Sequence, residues 1–378
     1  MTNARADPPQ SPRAFVCRPR PYLGESLSSW RQRGGLKNGF PIYPVPPGVF
    51  RRFEVDAGGG PIDLQWLSET FDLELDTVRS LSIDSWAGRL VESENPRKYP
   101  VWLLRARSVG SWFGGGPVFC PQCLAEAPEP FFRIVWRFGA ICACPIHGCE
   151  LLDKCPECGA GVWPQGAFDT RRFQDREISL DQCTVCLTRL SLASASPADT
   201  PSLSAASALL EIYRSGQAKI ADQLSVSASS YFSALGFVCE LFLRQIPSRS
   251  IRHSTSSWAD LAARIWENRF NQQPSHLHVQ DRGALVRSVY SLFDDWPNSF
   301  IEFARQTRVS RVALARAGLP SSDWLLHAIR RVPLEFPDDV GNGNILHLGR
   351  RFGAHTLSSR REAADGEDEG LSHSAQHD

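Results

Sequence analysis

A chain of 378 residues with 42% apolar and 10% aromatic side chains can bury a sizeable core, and its length points to two or three domains, not a disordered polymer. Forty-one Lys and Arg balance forty-one Asp and Glu, so no overall positive field draws it to nucleic acid or an anionic membrane, and any such contact must be local. No apolar run approaches the roughly eighteen residues of a membrane span, and the opening MTNARADPPQSPRAF lacks the apolar centre of a secretory signal, so a cytoplasmic protein is expected.

Residues 1–20 are interrupted by Pro and Arg and read as a flexible N-terminus. A helical N-terminal domain is expected over 21–113. Its first helix starts at Gly24-Glu25-Ser26, buries Leu27 and Trp30, and is ended or kinked by Gly34-Gly35. The first sixty residues hold nine Arg and Lys against four Asp and Glu; Arg31, Arg33 and Lys37 are candidates for DNA phosphate, and equally for a solvated helix face. Over 62–83, Leu64, Leu67 and Phe71, then Leu75, Val78 and Leu81, recur at helical spacing on both sides of a short break, the outline of a helix-turn-helix. Reading DNA with that unit needs basic and amide side chains on its second helix. Here Asp72, Glu74, Asp76 and Asp84 surround Arg79, and residues 61–95 hold eight acids and two bases. Such a surface repels phosphate, so the pair reads as a packing or protein-docking module. Residues 96–113 reverse the sign with Arg97, Lys98, Arg105 and Arg107. Interleaved with Trp102, Trp112 and Phe113, they suit either a DNA-binding surface or aromatics packed beneath arginines whose heads stay in water. Gly114-Gly115-Gly116-Pro117 marks a hinge.

Residues 114–190 form the tandem zinc-finger region around which the chain is organised. Nine of the eleven cysteines lie between Cys120 and Cys186. Eight ligand-type residues fall into four tight pairs: Cys120/Cys123, Cys144/His147, Cys155/Cys158 and Cys183/Cys186. A CxxC or CxxH turn offers two ligand atoms to one tetrahedral ion, and two turns fill its shell. Paired in order, they make one three-cysteine, one-histidine site and one all-cysteine site, together two structural Zn2+ ions; a pairing of the first turn with the third is the alternative. A disulfide scaffold fits less well, since a chain of this size does not need staples and no secretory segment is present. Cys142 and Cys149 belong to no such turn and read as packed or surface thiols. Seven ligating thiolates on two divalent ions add a charge of about −3. Closed sites of this kind supply folding energy and leave no position to activate water. Between the halves of the first site, Phe131, Ile134, Val135, Phe138 and Ile141 follow helical spacing, with Arg133 and Arg137 off that stripe. Arg171, Arg172 and Arg176, between the halves of the second, suit a basic loop on DNA, or a solvated one diluted by Asp169, Asp175 and Glu177.

Residues 191–207 are rich in Ser, Ala and Pro and read as a linker. A helical C-terminal domain follows over 208–345, with helices expected at Ala208–Arg214, Tyr231–Gln245, Trp258–Phe270, Gly283–Phe293 and Ser299–Arg305, and with Cys239 as a buried thiol. Arg305 to Arg331 holds six Arg and one acid, Asp323, and is a second candidate DNA-facing element or a solvated helix face. Residues 346–378 form a disordered acidic tail. The fold class is therefore mainly α with small zinc-ribbon elements. Nothing points to an enzyme: neither GxxxxGK[ST] nor HExxH occurs.

Taken together, GESLSSW near the start, CPQCLAE, and PFFRIVWRFGAICACPIHGCELLDKCPECGA resemble the TniQ family of transposition proteins, which includes TnsD-type target-site selectors. The resemblance covers roughly residues 20–190 and the C-terminal half only loosely. It implies an accessory adaptor that selects target DNA, directly or through a separate targeting complex, and recruits the transposon AAA+ ATPase and through it the transposase. A homodimer is compatible with it. It also implies that the eight ligands bind zinc. The competing expectation is a zinc-dependent transcription regulator, which shares the helix-turn-helix and the ribbons and differs in its partners.

Overall fold

Ser26 sets the first element: its hydroxyl accepts a hydrogen bond from Ser29 N–H and caps helix α1 (Leu27–Lys37). The computed structural model describes residues 16–39, 56, 64–90, 101–104, 116–162, 178–221, 224–245, 256–266, 273–318 and 322–336. Leu27 and Trp30 are fully buried, as the sequence predicts. Gly34-Gly35 does not end the helix. A Cβ at Gly34 would stand 2.9 Å from Phe71 Cε1, so that glycine lets α1 touch the next helix. Residues 17–20 are not loose: Trp30 Nε1 donates to Pro19 O at 2.8 Å, and Asn38 exchanges two hydrogen bonds with Cys17.

Helices α2 (Leu64–Phe71) and α3 (Leu75–Ser80) flank a break at Asp72, whose φ is 55°. Leu64, Leu67, Phe71, Val78 and Leu81 point inward with Leu27 and Trp30 to form a small core. The acidic positions Asp72, Glu74 and Asp76 are exposed.

Residues 131–138 depart from the expected helix. Only Ile134–Arg137 turn, as a short 3-10 segment, and the chain on either side is extended. Residue 133 bridges Glu25 and residue 138 bridges Leu103, so both flanks have lateral partners. Phe131, Phe132, Ile134, Trp136, Arg137 and Phe138 are all buried, so the segment is enclosed on more than one side, unlike the one-sided stripe of a surface helix.

A second, larger core runs from Ile83 to Val332 and includes the zinc region and the helical half. Helix α4 (Pro121–Glu126) and the hairpin β1 (Ala143–Cys144) and β2 (Cys149–Glu150) lie on one side. Next come α5 (Thr200–Ser215), the antiparallel hairpin β3 (Gln217–Ile220) and β4 (Leu224–Ser227), and α6 (Ala228–Gln245). Then follow α7 (Ser257–Trp266), α8 (Val279–Tyr290), α9 (Asn298–Gln306), α10 (Arg311–Arg316) and α11 (Asp323–Arg331). The molecule is mainly helical. Phe232, Leu235, Val238, Cys239 and Phe242 of α6 are fully buried, and Trp102 Nε1 donates to Phe232 O at 2.9 Å. Gly236 permits that contact, since a Cβ there would meet Val101 Cγ1 at 2.6 Å.

The stretch 191–207 is not a free linker. Glu150 N–H donates to Ser196 O and Ala198 N–H to Gly148 O, and α5 already begins at Thr200, capped by Asp199. The expected acidic tail at 346–378, and residues 1–15 of the N-terminus, lie outside the described residues.

Candidate metal centres

The first centre joins a helix start to a hairpin. Cys120 occupies the N-cap of α4 with Pro121 as the first helical residue, and its Sγ accepts from Cys123 N–H at 3.4 Å. One helical turn therefore aims both sulfurs the same way. The other two ligands come from the β1–β2 turn, where Gly148 has φ 64° and donates its N–H to Cys144 O at 2.9 Å. His147 Nδ1 lies 3.4, 3.3 and 3.5 Å from the sulfurs of Cys120, Cys123 and Cys144, and Cys123 Sγ stands 3.7 Å from Cys144 Sγ. Ligands on one zinc ion at about 2.3 Å would be separated by roughly 3.8 Å, the edge of a tetrahedron. The four atoms fit that figure.

Their electrostatics point the same way. Hydrogen bonds from Cys123 and then Cys144 hold the Cys120 thiol down at about 2, while hydrogen bonding to Cys120 and then Cys144 pushes the Cys123 thiol up. Groups this close cannot all carry negative charge unless a cation sits among them. Burial works against the His147 cation, yet the hydrogen bonds and charges of Glu126 and Cys144 together more than offset it, and the imidazole is raised. Glu126 Oε2 lies 2.8 Å from His147 Nε2, which leaves Nδ1 to face the sulfurs. With an ion among the sulfurs this would be a carboxylate–histidine–metal arrangement, in which the carboxylate fixes the ring's tautomer and orientation. Glu126→Ala is expected to weaken metal binding at this centre roughly 10- to 100-fold and to leave the second centre unchanged. Competition with a graded chelator, read separately for the two ions, checks it; equal losses at both centres would contradict the assignment.

The second centre is two copies of one turn. After Cys158, Gly159 has φ 69° and its N–H reaches Cys155 O at 2.9 Å. After Cys186, Leu187 has φ 63° and its N–H reaches Cys183 O at 2.9 Å. Cys155 and Cys186 sulfurs are 3.5 Å apart, and those of Cys158 and Cys183 are 3.6 Å apart. Burial pushes the Cys158 thiol up to about 12; Cys186, despite burial, is drawn down to about 6 by its contact with Thr188. Nothing approaches a Cβ built on Gly159, so Gly159→Ala isolates the backbone cost. It should destabilise this centre by about 1–2 kcal/mol, the left-handed penalty for an L-residue, measured as a lowered denaturation midpoint. Asp181 ties the turn inward: it accepts from Ser179 Oγ at 2.6 Å and from Ser191 Oγ, and Leu190 N–H donates to its carbonyl. Residues 190–192 form a 3-10 turn packed on α4, so one polypeptide bracket joins the two centres.

The eight predicted ligands thus gather into two groups of four, each with ligand atoms within 4.8 Å of one another, and the in-order pairing is the one that occurs. All eleven cysteines carry free sulfurs. Cys142 is half-buried, with Sγ 3.4 Å from Gly139 O. Cys149 is buried with Sγ 3.6 Å from Cys120 Sγ, beside the first centre but in neither group. Sequence reasoning missed Glu126 and Asp181. Glu126 lies three residues after Cys123 on the same helix, which was a usable signal; the partners of Asp181 become apparent only in the fold.

The proposed DNA contacts fare differently. Arg31 and Arg33 are 3% and 5% exposed and cannot reach a phosphate. Arg33 is held by Glu25 at 2.8 Å and by Arg20 O at 2.6 Å. Arg137 is buried against Asp56, whose carboxylate also accepts from Ser28, so it is no solvated edge. Trp102 is packed and not offered to bases. Arg105, Arg107, Arg171, Arg172 and Arg176 lie outside the described residues.

Residues 16–151 match the family model TniQ. The matched stretch contains the whole first centre and ends before Cys155, so the second centre lies beyond it. A comparison with curated proteins finds no match. No helix among the described residues is long and apolar enough to cross a membrane.

Proposed function

We propose that this chain, whose residues 16–151 match the TniQ family model, is a transposition-associated target-selection adaptor. In this reading it links target DNA, directly or through a targeting complex, to recruitment of the transposon AAA+ ATPase and the transposase. It works in the cytoplasm as a scaffold, not a catalyst. Zinc is the ion we assign to both centres: three sulfurs with one imidazole, and four sulfurs, are donor sets that tetrahedral zinc takes in closed structural sites.

The observation that carries the reading is the coincidence of the family match with a complete first centre whose surroundings are stitched to α1. Ser26 N–H donates to Phe132 O and Ile134 N–H to Gly24 O, both at 2.8 Å, and Phe132 N–H donates to Ser29 Oγ at 2.9 Å. Residues of GESLSSW and of the stretch between the two halves of the first centre are thus hydrogen-bonded together, which suits a platform for partners. The acidic α2–α3 pair suits a protein-docking role, because its outer charges oppose phosphate. Capture of a transposon AAA+ ATPase by the full zinc-loaded chain is the test. Stoichiometric capture, with loss of transposition when the chain is omitted, is expected. Capture of RNA polymerase without the ATPase would instead identify a transcription regulator.

A further inference from the structure

The arginine-rich run near the C-terminal end has no part in the metal centres. Residues 298–334 hold six arginines, at 305, 308, 311, 316, 330 and 331, against Glu302 and Asp323. That is a local charge of about +4 on a chain balanced overall, the opposite of the acidic α2–α3 pair.

The fold makes this run a three-helix unit. Phe300, Phe303 and Ala304 of α9, Val309 in the turn, Leu314 of α10, and Leu325, Ala328 and Ile329 of α11 are its buried side. Gly318, just after α10, has φ 93°. Arg311 Nη1 donates to Arg330 O at 3.1 Å and Arg311 N–H to Pro333 O at 2.8 Å, which brings the start of α10 beside the end of α11. The start of α11 is anchored on α6: Trp324 Nε1 donates to Ser230 Oγ, and Ser230 Oγ to Ser322 Oγ, each at 3.0 Å. Opposite its buried residues, α11 exposes Asp323, His327, Arg330 and Arg331, and Arg316 is exposed at the end of α10. Among the described residues no ion pair involves Arg316, Arg330 or Arg331. A helix held in this way, with a second packed beside it, can enter a duplex major groove about 12 Å wide while arginines at its end meet the phosphates.

We propose that the exposed face of α11, with Arg316, binds the phosphate backbone of duplex DNA directly. The assignment rests on the adaptor reading in its direct-binding form, and supplies the DNA-facing element that α2–α3, by its charge, does not. Binding of the full chain to a short duplex of arbitrary sequence, measured by fluorescence anisotropy across a salt series, tests it. Arg330→Gln with Arg331→Gln should weaken binding for every sequence and flatten the slope of log affinity against log salt by about 2. Arg214→Gln, an exposed arginine on α5, should change nothing. Asp323→Asn removes the one acid on the face without disturbing its packing and should tighten binding, so the test does not depend on a double variant that must fold. An unchanged slope together with an indifferent Asp323→Asn overturns the assignment, as does wild-type protein that ignores duplex DNA or prefers an RNA hairpin. ATPase capture is scored separately: its persistence with an unchanged slope removes this face alone, and its absence removes the adaptor reading.

Discussion

Cys123→Ser and Cys155→Ser are each expected to unfold the region around the substituted centre. Structural zinc contributes roughly 10–16 kcal/mol of apparent binding free energy in small zinc-binding units at neutral pH, whereas a whole domain is stable by only about 5–15 kcal/mol. Both cysteines are buried in the larger core, so the loss is not confined to a surface turn. Cys123 supports α4, and through the packed 190–192 turn its loss also reaches the second centre. Cys155 anchors the first knuckle of the second centre through Gly159 N–H and Ala160 O. Differential scanning calorimetry with zinc content determined on the same sample checks this. Each variant should lose at least one ion and the cooperative transition; a variant that melts like wild type would show that the sulfur holds no metal. A chelator should reproduce the effect on the wild-type protein, and added zinc should reverse it.

Glu25→Ala carries the second largest expected effect. Glu25 is fully buried and accepts from Arg33 Nε at 3.1 Å, Arg33 Nη2 at 2.8 Å, Ser29 Oγ at 3.0 Å and Tyr22 N–H at 3.0 Å. Burial opposes the charge on Arg33, but the hydrogen bond and charge of Glu25 more than offset it, and the guanidinium is held above its usual range. Removing one partner of such a pair leaves an uncompensated buried charge and costs about 3–5 kcal/mol. Glu129, 3.4 Å from Arg33, offers only partial relief from a more exposed position. Lys37→Ala, which breaks the exposed contact of Lys37 with Glu129, should cost no more than about 1 kcal/mol. Urea denaturation of the two variants compares them, and similar midpoints would mean that the Glu25 lattice contributes little.

The two four-residue clusters were legible because their signal is local: Cys and His pairs three residues apart on tight turns do not depend on what packs around them. The mainly helical class and the helices of the C-terminal half were legible for a related reason, since apolar spacing such as Phe232, Leu235, Val238 and Phe242 reports a helix wherever it occurs. Residues 131–138 were misread because Phe131, Ile134, Val135 and Phe138 satisfy a helical period, whereas lateral partners at Glu25 and Leu103 hold the flanks extended and confine the turn to 134–137. Arg31, Arg33 and Arg137 were misread for the opposite reason. An arginine looks solvated until its buried surroundings are seen: Glu25 meets Arg33 and Asp56 meets Arg137 only in the fold, and Arg31 is 3% exposed there. Composition likewise hid the role of 191–198, whose backbone, not its side chains, binds the zinc hairpin.

Two closed four-ligand cages that brace the whole assembly are the core of this account. Metal analysis of the purified chain with zinc-edge absorption spectroscopy measures them most directly. Two zinc ions per chain, with an average shell of about 3.5 sulfur and 0.5 nitrogen neighbours at tetrahedral distances, is the predicted result. Fewer than two ions, or an oxygen neighbour that marks an open coordination position, would contradict it.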